Sequence, residues 1–108
     1  MIEKDVQVYE TLCGYAPFND WLMKLRDRDA RAMVRARINR LRLGLFGDCK
    51  SVGDGVFELR IFYGPGYRVY FGQHNDVTVI LLCGGDKKSQ NKDLQKAKHY
   101  WKNYKDQS

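Results

Sequence analysis

Val56-Phe57-Glu58-Leu59-Arg60-Ile61-Phe62-Tyr63, then Gly64-Pro65-Gly66, then Tyr67-Arg68-Val69-Tyr70-Phe71 is the stretch whose reading decides the fold. Successive side chains of a strand point to opposite faces, so Phe57, Leu59, Ile61 and Tyr63 share one face. Tyr67, Val69 and Phe71 share a face on the return strand. A register that buries both apolar sets together is favoured, because a slip of one residue would send one set into water. That register collects Glu58, Arg60, Arg68 and Tyr70 on the opposite face. Two guanidiniums fixed on rigid strands beside an aromatic ring suit phosphate binding. The plainer alternative pairs Arg60 and Arg68 with Glu58 on a solvated face that does no chemistry.

The sheet extends to either side of this hairpin. Asp76-Val77-Thr78-Val79-Ile80-Leu81-Leu82-Cys83 is a nearly unbroken apolar run, as expected of a buried strand. Gly84-Gly85 then reads as a sharp exit from the sheet, with Lys87 and Lys88 emerging where they can reach the arginine face. Strands are therefore expected at about 56–63, 66–73 and 76–83, and a short first strand at Val6-Gln7-Val8-Tyr9. Cys49 to Gly53 reads as either a short strand or an irregular connector.

Helical spacing governs the remainder. Pro17 suits a first helical turn, and Phe18, Trp21, Leu22 and Leu25 predict an amphipathic helix of about three turns. Asp27 or Asp29 opens a second helix carrying Ala30, Val34, Ile38, Leu41 and Leu45, stopped by Gly44 or Gly47. Ser89 is placed to cap a last helix whose stripe is Leu94, Ala97, Trp101 and Tyr104. The expectation is one α+β domain over residues 1–108: a small antiparallel sheet with a mixed edge, a helical hairpin on one face and a C-terminal helix. The element order is β-α-α-β-β-β-α.

Composition narrows the function classes. The chain has 108 residues, seven tyrosines, five phenylalanines, two tryptophans and a formal net charge of +6. That aromatic content belongs to a folded domain, and the charge favours nucleic acid or an acidic protein as partner. No run reaches transmembrane length, and Met1-Ile2-Glu3-Lys4-Asp5 lacks the parts of a signal peptide, so no membrane partner is expected. Cys13, Cys49 and Cys83 are odd in number and lack metal-ligand spacing, so they are expected to be reduced thiols of a cytoplasmic protein without metal or other cofactor. Arginines crowd residues 28–42, a stretch that offers cations to a nucleic acid or forms a solvated helix face, since they occur all around the helix.

The runs Phe57-Glu58-Leu59-Arg60-Ile61, Gly64-Pro65-Gly66-Tyr67-Arg68-Val69-Tyr70 and Gly84-Gly85-Asp86-Lys87-Lys88-Ser89-Gln90-Asn91-Lys92-Asp93, in this element order, resemble toxins of the RelE/ParE superfamily. The match is to the phage-related addiction module killer, HigB-like branch of bacterial toxin–antitoxin systems. The resemblance implies a RelE-like microbial RNase fold and a cognate antitoxin, in some systems with a helix-turn-helix that reaches operator DNA. It also implies one of two targets: messenger RNA cut on the ribosome, or DNA gyrase. Arg68 falls where RelE-type enzymes carry a functional arginine, Arg60 near their strand-borne lysine, and Lys87 or Lys88 near a basic residue after the last strand.

Within that resemblance, Arg60, Arg68 and Lys87 are the expected catalytic cations, and Glu58 is either a base or a holder of Arg60. Lys88, Tyr70, Arg35 and Arg42 are expected to bind substrate, Tyr70 by stacking on a base. Arg60 departs from the pattern as a base, since a guanidinium stays protonated. His99 is the only histidine near the C-terminus, and a helix-surface role suits it better than catalysis. His74 falls in a hairpin turn. Readings from other classes are a gyrase inhibitor that does no RNA chemistry, and a non-enzymatic binding relative.

Overall fold

The computed structural model describes residues 3–107, so residues 1 and 2 of the expected leader-free start lie outside it. Its elements are β1 (Asp5–Val8), α1 (Pro17–Lys24), α2 (Arg28–Arg42), β2 (Cys49–Gly53), β3 (Val56–Ile61), β4 (Tyr67–Gln73), β5 (Thr78–Asp86) and α3 (Gln90–Gln107). They form an α+β fold with a five-stranded mixed sheet in the order β1-β5-β4-β3-β2. β1 runs parallel to β5 and every other neighbouring pair is antiparallel. Of the two readings of Cys49–Gly53, the strand is the one realised, at the edge beyond β3. β3 and β4 pair Leu59 with Val69, Glu58 with Tyr70 and Arg60 with Arg68, the register that alternation demands.

Local signals explain the helical layer. Asp27 accepts hydrogen bonds from the backbone N–H groups of Asp29 and Ala30 at 2.9 and 3.2 Å, capping α2. Its far end closes on Gly44, whose φ of 80° lets its N–H return to the Leu41 carbonyl. α1 is eight residues long rather than three turns, because Leu25 has already turned to extended backbone. Phe18, Ala30, Val34, Ile38 and Leu41 pack on Leu59, Ile61, Val69, Phe71, Val79 and Leu81. The helices thus cover one face of the sheet.

The opposite face departs from expectation. It is not a solvated arginine surface, because α3 lies across it. Ala97 and Trp101 pack with Tyr9, Val56, Tyr70, Ile80, Leu82 and Cys83 in a second core. The hairpin alone shows a polar face; β5 and Tyr9 supply the apolar surface that the α3 stripe needs.

A bulge in β5 sets which residues meet α3. Tyr70 pairs with Cys83 but Phe71 with Leu81, so the pairing skips Leu82 and the alternation of faces shifts there. Gly84 and Gly85 are therefore strand residues rather than a sharp exit. A Cβ on Gly84 would lie 2.2 Å from the Trp21 ring, and one on Gly85 1.8 Å from the Asp93 carboxylate. Bare backbone is what lets α1 and α3 approach the strand from its two sides.

Candidate functional site

Where β3 and β4 meet the Gly64-Pro65-Gly66 turn, the sheet opens into a cavity of about 250 Å³. Arg60, Phe62, Gly66, Arg68 and Lys87 line it. Arg60 and Arg68 are directly opposite on adjacent strands, and Lys87 follows the last residue of β5, the neighbour of β4. The structure thus gathers three of the sequence-predicted cations at one opening.

Each arginine has its own carboxylate: Arg68 takes Glu58, as in the plainer of the two readings, and Arg60 takes Asp48 instead. Asp48, on the connector after α2, accepts from both Nε and Nη2 of Arg60, at 3.2 and 2.8 Å. That hydrogen bond and the adjoining charge raise the Arg60 pKa above its ordinary value. Asp48 stands where it does because Arg37 of α2 donates to the carbonyls of Phe46, Asp48 and Arg60. Arg37 thereby ties connector and β3 together, and its partial burial lowers its own pKa. The guanidinium of Arg60 also lies 5.8 Å from the centre of the Phe62 ring.

Glu58 pairs diagonally with Arg68, its Oε2 3.6 Å from Nε, an ion-pair distance beyond hydrogen-bond reach. The Glu58 side chain is 1% exposed and that of Arg68 12%. Gln90, the first residue of α3, donates to the same Glu58 oxygen at 3.2 Å. The expectation that Glu58 holds Arg60 is corrected: Asp48 hydrogen-bonds Arg60, while Glu58 lies buried beside α3 with Arg68. Arg68 reaches out of this buried pair into the cavity, donating through Nη1 to the Gly66 carbonyl at 3.2 Å.

Tyr70 is corrected as well. It is 0% exposed beneath α3, so it offers no face to a base. Burial first, and the Glu58 charge second, raise its hydroxyl pKa. The exposed aromatic at the site is Phe62, which the sequence reading passed over. The signal was there: Phe62 follows Arg60 by two and falls on the polar face, an apolar residue out of place beside a Gly-Pro-Gly turn.

The other predicted residues lie elsewhere. Lys88 is exposed next to the site but outside the cavity lining, its backbone N–H bound to Asp86. Arg35 and Arg42 are exposed on α2, in the layer across the sheet, with Arg42 bonded to Asn39. His74 lies edge-on to Tyr104, and His99 meets Asn103 on the surface of α3, both away from the cavity. Ser89 sends its hydroxyl to Asp93, while Asp86 binds the N–H groups of Lys88 and Ser89 and shapes the turn into α3. Among the described residues, no three His, Cys, Asp or Glu side chains converge as a metal site, and no helix is long and apolar enough to cross a membrane.

An uncharacterized protein of Haemophilus influenzae is 55% identical over 93 residues, covering 86% of this chain and 90% of that protein. A family model described as "Phage derived protein Gp49-like (DUF891)" matches residues 20–105, from within α1 through nearly all of α3. The match takes in β2 to β5, the cationic cavity and the helix that seals Glu58, with β1 outside it, and by it this chain belongs to the phage-derived, toxin-like Gp49 family.

Proposed function

We propose that this chain is the toxin of a toxin–antitoxin module and acts as a metal-free, ribosome-dependent messenger RNA endonuclease of the RelE/HigB kind. The observation that carries the reading is the cavity that collects Arg60, Arg68 and Lys87 at one end of the sheet. RNA brings its own nucleophile in the 2′-hydroxyl. An enzyme that cuts it must orient that group, help remove its proton, stabilise the crowded phosphorane and protonate the leaving oxygen. Arg68, braced from behind by Glu58, and Arg60, braced by Asp48, are fixed cations suited to the phosphorane. Lys87 is exposed on a long flexible stem, the geometry for following the leaving oxygen and giving it a proton. The toxin-like family and the net charge of +6 support an acidic antitoxin as the protein partner, through which operator DNA would be reached.

The test is 5′-end mapping of cellular RNA minutes after induction of the wild type or Arg68→Ala. The expected result is new in-frame cuts within translated messages, reduced a hundredfold or more, in order of magnitude, in the variant. Intact messages with arrested growth would transfer the reading to gyrase. Intact messages with normal growth would leave a binding module.

A further inference from the structure

We propose that Phe62 is a stacking platform for one unpaired RNA base, and that the Arg60–Arg68–Lys87 cavity holds the phosphate next to that base. The proposal rests on the ribonuclease reading above and adds to it the part of the substrate that is gripped.

The case starts from an apolar ring in water. Phe62 is 78% exposed, whereas Phe18 and Phe71 are buried and Phe46 and Phe57 pack against the helical core. Its neighbours Ile61 and Tyr63 serve that same core, so Phe62 contributes nothing to burial on its own face. The ring is nonetheless rooted firmly. The backbone on either side is closed by hydrogen bonds from Tyr63 N–H to the Ile61 carbonyl and from Gly66 N–H to the Tyr63 carbonyl, both 3.0 Å. With the backbone beneath it fixed, only the two side-chain torsions of the ring need settle when a flat partner lies on it.

The surroundings select the partner. Phe62 lines the cavity, and the Arg60 guanidinium sits by its ring, so the surface combines an aromatic plane, a guanidinium plane and two further cations. Aromatic and guanidinium planes receive splayed bases in single-strand recognition, while adjacent cations track the backbone. A paired base inside a duplex has both faces covered by its neighbours and offers nothing to Phe62. The chemistry therefore fits a single strand with one base turned out beside the phosphate under attack.

Binding of short fluorescein-labelled oligoribonucleotides, protected from cleavage by 2′-O-methyl groups, tests this by fluorescence anisotropy at low salt. The wild type is compared with Phe62→Ala, Phe62→Trp and Arg68→Ala, each against a set in which a single abasic nucleotide is moved along the strand. Phe62→Ala is expected to weaken binding roughly tenfold, Phe62→Trp to keep it, and one abasic position to make Phe62→Ala indifferent. Wild-type affinity in Phe62→Ala alongside weakened Arg68→Ala overturns the platform and leaves the RNA reading standing. An equal loss by Phe62→Ala at every abasic position also overturns it, because the ring would then shape the cavity rather than stack. No Arg68-dependent binding in the wild type would overturn the platform as an intrinsic RNA site, while the ribosome-linked cutting stands or falls on the 5′-end mapping alone.

Discussion

A charge on a sheet face acts through its nearest opposite charge, and the cavity holds two such arrangements with different consequences. Arg60 and Asp48 face each other at the surface, where a carboxylate can exchange for a phosphate at modest cost. Arg68 and Glu58 lie under α3, where neither ion can be left alone. Removing one partner of a buried pair strands the other in low dielectric. Glu58→Gln is therefore expected to lower folding stability by about 3 kcal/mol, read as a shifted urea midpoint. The same variant, kept folded at low temperature, should still bind oligoribonucleotide through Arg68, because Glu58 touches no substrate. A variant of unchanged stability that has lost binding would restore Glu58 to the site itself. Arg60, Arg68 and Lys87 were legible as a group because strand alternation and the exit of the last strand fix their placement. The partner of Arg60 was not, because Asp48 lies on an irregular connector whose path depends on Arg37 reaching three carbonyls across the fold.

α1 and α3 come close to the sheet where β5 and β4 give up their side chains. Trp21 of α1 occupies the space above Gly84, and Trp101 of α3 that above Gly72, where a Cβ would fall 2.2 Å from each ring. Both rings are anchored by neighbours, Trp21 by Phe18 and Tyr67, and Trp101 by a stacked Tyr104. Neither can swing aside without opening a gap elsewhere. Gly84→Ala and Gly72→Ala should each cost about 1–3 kcal/mol as overpacking, measured by chemical denaturation. Wild-type stability in either would mean that the helix shifts freely on the sheet. Four of the five strands, the β3–β4 register and the three helices could be read from periodicity because each is set by neighbours in sequence. The roof that α3 makes over Glu58 and Tyr70 could not, since it depends on apolar residues from β5 and Tyr9 and on a bulge that moves Cys83 to the α3 face.

Across the whole molecule, α3 makes the second core a place where a thiol and a phenol keep their protons. Cys83 donates its thiol to the Asp93 carbonyl, and burial together with the Asp93 charge pushes its pKa up to about 12, from 9.0 in the open chain. Tyr70 is raised in the same direction, burial again the main cause. In the unfolded chain both groups lose their protons sooner as pH rises, so between those values the native state binds more protons than the unfolded state. Stability must then fall with pH, by about 1.4 kcal/mol per pH unit for each such proton. The contribution of Cys83 is fully present below about pH 9 and is lost progressively up to about pH 12. Urea midpoints of the wild type, taken at intervals from pH 8 to pH 10.5, should decline once pH passes 9. Cys83→Ala will start from lower stability because it leaves a cavity, but its decline should be shallower by about one proton's slope. Parallel curves would mean that the thiol ionises as easily in the folded protein as in the unfolded chain, and that α3 opens readily enough to let water reach it. That outcome would also weaken the case for Glu58 as a sealed brace, since the same helix covers both.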